Sequence, residues 1–137
     1  MSHTVDILPE LESSLRKFRF AKRQGNSVLI AKVNKQKLIV EEVEQLTNVD
    51  VDELGEELPE SSPRFVVLSY ETVHKDGRRS FPLVLINWVP RGSETGMMTL
   101  HASIFIPFSE IADANKVIEI RDGSEGLSKA IIDEAVE

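Results

Sequence analysis

Two nearly continuous apolar runs, at positions 65–73 and 81–89, constrain this chain more than any other feature. The first reads Phe65-Val66-Val67-Leu68-Ser69-Tyr70-Glu71-Thr72-Val73 and the second Phe81-Pro82-Leu83-Val84-Leu85-Ile86-Asn87-Trp88-Val89. A strand with one wet face alternates apolar and polar residues, whereas a strand covered on both faces does not. The runs are therefore expected as central strands with helices on both sides. Between them, residues 74–80 carry Asp76-Gly77, which suits a tight turn with positive φ, so the hairpin tip should project into solvent. Pro82 has no backbone donor, which predicts a bulge or edge position where the second strand enters the sheet.

The flanking sequence supplies the cover. Asp6 is placed to cap a helix with Pro9 in its first turn and Leu8, Leu11, Leu15 and Phe18 at helical spacing. Gly25-Asn26 interrupts the chain before Val28-Leu29-Ile30-Ala31-Lys32-Val33, a polar turn at Asn34-Lys35-Gln36, and Lys37-Leu38-Ile39-Val40, which together read as a strand hairpin. Asp50 caps a short helix with Val51, Leu54 and Leu58 on its inner face, and Pro59 stops it. Residues 95–115 suit a helix with a broad apolar face that Pro107 should break or kink before a further turn through Ser109-Glu110-Ile111-Ala112. Residues 116–121 alternate like a half-buried strand, and Ser124 is a candidate cap for a last helix along Leu127, Ala130, Ile131, Ala135 and Val136. This order predicts an α+β fold, a mixed α/β sandwich whose central mixed β-sheet carries helices on both faces. The length points to a single domain over residues 1–137.

The formal charge of −7, from 16 basic and 23 acidic residues, sets aside nucleic acid and anionic membrane as the main partner. No stretch approaches the roughly 18 to 20 apolar residues of a membrane span, and Met1-Ser2-His3-Thr4 does not open a secretory signal, so a cytoplasmic protein is expected. The absence of cysteine excludes disulfides, thiolate nucleophiles and cysteine zinc sites, and it permits a reducing compartment. The charges are sorted along the chain. Between residues 13 and 40 every charged residue is basic: Arg16, Lys17, Arg19, Lys22, Arg23, Lys32, Lys35 and Lys37. Between residues 41 and 60 every one is acidic: Glu41, Glu42, Glu44, Asp50, Asp52, Glu53, Glu56, Glu57 and Glu60. Such blocks are either two solvated faces or the mark of a polar molecule that docks on an oppositely charged protein.

Catalytic constellations are not evident. His3, His74 and His101 are isolated from one another and none has a second histidine at helical spacing, and neither type of glycine-rich phosphate loop occurs. The pairs Glu41/Glu42 and Glu56/Glu57 read as a solvated acidic face rather than as general acid and base. A non-enzymatic protein without metal or cofactor is expected.

Leu15-Arg16-Lys17-Phe18-Arg19-Phe20, Glu57-Leu58-Pro59-Glu60 with Pro63-Arg64-Phe65-Val66, Ser69-Tyr70, Lys75-Asp76-Gly77-Arg78 with Pro82-Leu83, and Lys116-Val117-Ile118-Glu119-Ile120-Arg121 occur in that order. Together they resemble the glia maturation factor family, a branch of the actin-depolymerising factor homology superfamily, over nearly the whole chain. The resemblance implies an actin-depolymerising-factor-homology fold and a cytoskeletal regulator that binds the actin-related-protein 2/3 complex. Such a regulator inhibits actin nucleation by that complex and dissociates branches, with little binding to actin monomers. It further implies a monomer at cortical actin patches, in contact with the complex and with the actin filament at the branch junction. The alternative is a general actin-binding protein of cofilin type that severs filaments or binds monomers.

By the same resemblance, a primary surface combines the N-terminal segment, here Ser2 and His3, with the long helix carrying Met97, Met98 and His101, and the basic residues Arg16, Lys17, Arg19, Lys22 and Arg23 fall near it. The two methionines are core filler or adaptable anchors, since adjacent helical positions cannot both point fully inward. A second surface, on the filament side, joins Lys75, Asp76, Arg78 and Arg79 of the hairpin to Lys129 of the last helix. Ser2 corresponds to the phosphorylated serine of the superfamily, where a phosphate adds about −1.5 to −2 charge. One departure stands out. The family continues after its methionines with Tyr-Ala and then lysines, whereas this chain reads Thr99-Leu100-His101 and has no basic residue between positions 94 and 115. Three consequences stay open: affinity rests on the basic run, residues 104–108 form an apolar contact, or binding is weaker.

Overall fold

The computed structural model describes residues 4–21 and 25–136. In chain order the elements are β1 (Asp6–Ile7), α1 (Pro9–Phe20), β2 (Ser27–Asn34), β3 (Ile39–Thr47), α2 (Val51–Leu54) with a 3₁₀ turn Gly55–Glu57, and β4 (Arg64–Ser69). There follow β5 (Thr72–Val73), β6 (Arg79–Ser80), β7 (Leu83–Trp88), α3 (Thr95–Ala112), β8 (Lys116–Ile120), a 3₁₀ turn Gly123–Gly126 and α4 (Lys129–Val136).

The double apolar run explains the architecture. Along β4 and β7 successive side chains enter two different clusters, Phe65, Val67, Leu83 and Leu85 on one face and Val66, Leu68, Val84, Ile86 and Trp88 on the other. The first face is covered by α1, through Leu11, Leu15 and Phe18, and by α3, through Ile104, Phe108 and Ala112. The second is covered by Val51 and Leu54 of α2 and Ile132 of α4, with Tyr70 and Leu127 completing the layer. Each large side chain buried this way contributes about 1.5–3 kcal/mol. The sheet order is β1-β3-β2-β4-β7-β8, antiparallel in the middle and parallel where β1 meets β3 and β7 meets β8. The parallel β7–β8 pair makes α3 a crossover helix. It starts beyond the Trp88 end of β7 and finishes at the Leu83 end, where the Asn115 N–H donates to the Leu83 carbonyl at 2.8 Å.

Several local expectations give way to tertiary pairing. Asp6 is a strand residue rather than the cap of α1. Its N–H donates to the Leu38 carbonyl at 2.9 Å, and the N-cap position falls to Leu8, which has no capping side chain, ahead of Pro9. The strand expected over residues 37–40 is Ile39–Thr47, so Glu41, Glu42 and Glu44 lie on a strand near the sheet edge. The central strands are shorter than the apolar runs. They stop at Ser69 and resume at Leu83, while β5 and β6 form a separate two-stranded hairpin. Pro82 lies just before the ladder, with its carbonyl accepting from Tyr70 N–H at 3.0 Å. Ser124 belongs to the second 3₁₀ turn, and the start of α4 is served by Ser128, whose hydroxyl accepts from Ile131 N–H at 3.3 Å. Ile132, not Ala130, is the fully buried residue of that helix.

Pro107 does not break α3, which is continuous over 18 residues. Its ring is on the exposed side, while Ile104 before it and Phe108 and Ala112 after it pack on the sheet. That packing outweighs the lost hydrogen bond and ring clash, which together cost about 3 kcal/mol in a helix interior. Pro107→Ala should accordingly raise the free energy of unfolding by about 1–3 kcal/mol in urea denaturation. An unchanged midpoint would mean that the helix backbone has already absorbed the ring.

Candidate partner-binding surfaces

The N-terminal segment lies alongside the long helix. Thr4, Val5, Asp6 and Ile7 face Ser103, Ile104, Pro107 and Ile111 across a groove of about 440 Å³. Pairing of Asp6 and Ile7 with Ile39 and Val40 holds the segment in this position. The outer side of α3 is formed by Thr99, Ala102, Ser103, Ile106, Pro107 and Glu110, all exposed, so Glu110 is the one charge on this small and largely uncharged surface. Ser2 and His3 lie outside the described residues. Met97 and Met98 are both half-buried in the first turns of α3, and Met97 packs against the core.

His101 is not part of any accessible surface. It is 1% exposed, its Nε2 lies 2.6 Å from Asn87 Oδ1, and its ring stacks on Phe65 at 3.9 Å between centroids. Phe108 stacks on the same Phe65 ring at 4.3 Å. Burial, and secondarily the charge of Arg64, pushes the imidazole pKa down to about 4. The histidine therefore sits between helix and sheet as a neutral packing element, and its expected contact role is corrected. Sequence alone could not reveal this, because Phe65, Arg64 and Asn87 reach it from other strands.

The basic run is also displaced from its expected place. Arg16, Lys17 and Arg19 belong to α1, with Lys17 and Arg19 in the last turn where they complement the helix dipole. Arg19 Nη1 is 3.4 Å from Asp113 Oδ2, just past the C-terminus of α3. Met98 and Ala112 are separated along α3 by about 20 Å at 1.5 Å per residue. The basic turn thus stands at the opposite end of α3 from the two methionines, not beside them. Lys22 and Arg23 lie outside the described residues.

That end of the molecule also carries the hairpin. Gly25 N–H donates to Glu71 Oε2 at 2.6 Å, Glu71 N–H donates to Asn26 Oδ1 at 2.9 Å, and Glu71 Oε1 pairs with Arg79 at 3.3 Å. The chain beyond α1 is therefore tied to the base of β5 and β6. The turn closes through His74 N–H to the Arg78 carbonyl at 2.8 Å, with Gly77 at φ +88°. Lys75, Asp76, Arg78 and Arg79 are all exposed, and Asp76 holds Arg78 at 2.6 Å. Lys75 has no ion pair among the described residues.

The last helix docks beside this hairpin. The Tyr70 hydroxyl donates to Asp133, and Lys129 Nζ is 2.7 Å from the other oxygen of that carboxylate. The Lys129 ammonium, and then the Tyr70 hydroxyl, hold the Asp133 carboxyl below its usual range, while burial and the Asp133 bond raise Tyr70. Thr72, His74, Ser80, Phe81, Asp133 and Val136 line a cleft of about 880 Å³ between hairpin and helix. His74 Nε2 lies 3.0 Å from Ser80 Oγ, but no carboxylate orients this exposed imidazole among the described residues. The arrangement provides charged and apolar contact surface rather than a nucleophile with its base.

The chain matches the cofilin/tropomyosin-type actin-binding protein family over residues 4–137. It is 40% identical over 117 residues to glia maturation factor beta of Homo sapiens, covering 85% of this chain and 82% of the relative. It is 37% identical over 120 residues to the glia maturation factor of Drosophila melanogaster, covering 88% and 87%. The solution structure of glia maturation factor from Caenorhabditis elegans superposes with a TM-score of 0.82 at 29% identity, covering 96% of this chain and 94% of that one. Streptomyces griseoflavus cofilin, at 19% identity and a TM-score of 0.78 with 95% and 96% covered, shares the fold.

Proposed function

The chain belongs to the cofilin/tropomyosin-type actin-binding family, and within it to the glia maturation factors; from that membership we propose that it binds the actin-related-protein 2/3 complex, inhibits its nucleation of actin and dissociates branched filaments. It is a non-enzymatic, actin-related regulator. We place its action, as a monomer, in the cytoplasm at cortical actin patches. The observation that carries the reading is the groove in which Thr4–Ile7 residues run beside Ser103, Ile104, Pro107 and Ile111. It unites the two elements that would engage the complex. The hairpin and the end of α1 then face the daughter filament, with Lys75, Arg78 and Arg79 as its basic contacts and Lys129 beside them on α4.

A cofilin-type severing or monomer-binding activity is disfavoured because it should need a basic long helix, and α3 carries no lysine or arginine. For dissociation, the protein must bind the branch-incompetent state more tightly than the branched one. Imaging of preformed branched filaments tests both readings. The expected result is loss of branches without faster fragmentation of unbranched filaments. Severed bare filaments with intact branch points would overturn it in favour of the alternative.

A further inference from the structure

Phe20 is 70% exposed at the end of α1, although Phe18, two residues earlier, is buried in the core. Phe18 thus anchors α1 to the sheet, and the fold has no need of an aromatic ring at position 20. The ring is also organised. The Arg19 guanidinium lies over it, 4.8 Å from its centroid, and Arg19 is itself restrained by Asp113 at 3.4 Å. Arg16 and Lys17 precede Phe20 by four and three residues, so all three share one side of the helix. Neither Arg16 nor Lys17 has an ion-pair partner among the described residues. An aromatic group ringed by unspent positive charge is the pattern of an interface hot spot, in which the ring fills a recess and the charges orient the approach.

We propose that Phe20 is an aromatic anchor that inserts into an apolar recess on an acidic protein surface, that of the actin subunit in the daughter filament at the branch junction. This rests on the function proposed above. The filament is chosen over the complex because Gly25, five residues beyond Phe20, is tied to Glu71 and through it to Arg79 of the hairpin, the surface assigned above to the filament. The acidic character of the partner follows from complementarity to Arg16, Lys17 and Arg19.

Phe20→Ala, Phe20→Trp and the pair Arg16→Glu with Lys17→Glu are compared with wild type in two measurements: binding to the purified complex in solution, and the rate of branch release from preformed networks at several salt concentrations. Phe20→Ala should keep complex binding within twofold and its thermal midpoint unchanged, yet release branches at least tenfold more slowly with an unaltered salt slope. Phe20→Trp should release branches at near the wild-type rate, and the charge-reversal pair should change the salt slope. Branch release by Phe20→Ala at the wild-type rate overturns the anchor. Loss of complex binding in Phe20→Ala overturns the filament as its occupant. Wild-type protein that releases no branches sinks the functional reading itself, and the assigned occupant with it.

Discussion

Replacing His101 with glutamine should flatten the acid limb of the stability profile. In the folded protein the imidazole is pressed between Phe65 and α3, hydrogen-bonded to Asn87, with Arg64 adding positive potential, and its pKa falls to about 4. In the unfolded chain the ordinary value is about 6.5. Between these values the unfolded state binds the proton and the folded state does not, so stability rises with pH. The contribution is present in full above about pH 6.5 and is lost as pH falls toward 4. Integrated over that interval it amounts to about 3 kcal/mol. Urea unfolding of wild type and His101→Gln at pH 7, 6, 5 and 4 isolates it by difference, because carboxylates elsewhere act on both proteins alike. Glutamine lowers stability at pH 7 through the lost ring stack, but its curve should lie progressively closer to wild type as the pH drops. Parallel curves would show that the buried histidine titrates as it does in the unfolded chain.

Phe65→Ala should produce the largest loss of stability at neutral pH. This ring is fully buried and holds His101 at 3.9 Å and Phe108 at 4.3 Å, so two residues of α3 rest on one strand residue. Deleting a buried phenylalanine costs about 3–5 kcal/mol, a large share of the 5–15 kcal/mol that typically holds a domain. The urea midpoint should fall with an unchanged slope. Phe105, half-buried and 6.4 Å from the same ring, serves as the comparison, and Phe105→Ala should cost less than half as much. Equal losses would place the support of α3 outside the stack.

The parts of the fold legible in sequence are those decided by burial pattern. Residues 65–68 and 83–86 are apolar at every position, in two alternating phases that enter two clusters, and no local alternative satisfies that pattern as well as a doubly covered strand. What was not legible depends on partners distant in the chain. Asp6 has the chemistry of a cap, and only the arrival of Leu38 and Ile39 makes it a strand residue. Pro107 has the chemistry of a helix breaker, and only the sheet beneath Ile104 and Phe108 overrides it. The candidate site divides along the same line. The hairpin charges could be read locally, since Asp76-Gly77 dictates an exposed turn. The burial of His101 and the distance between the basic turn and the methionines follow from the crossover path of α3, which no local pattern encodes.

The continuity of α3 has a consequence for avidity. An uninterrupted helix seated on the sheet fixes the spacing between the methionine end and the basic end, about 20 Å at 1.5 Å per residue, so on the function proposed here the two ends would act as a bivalent ligand with a rigid spacer rather than a flexible one. For such a ligand the second contact enjoys a high effective concentration only when the two target sites lie at the matching separation, and that advantage disappears when they do not. On the function proposed here, a branch junction is one geometry that presents both sites at once. A shift of a few ångströms between mother complex and daughter filament would then change occupancy without altering any single contact.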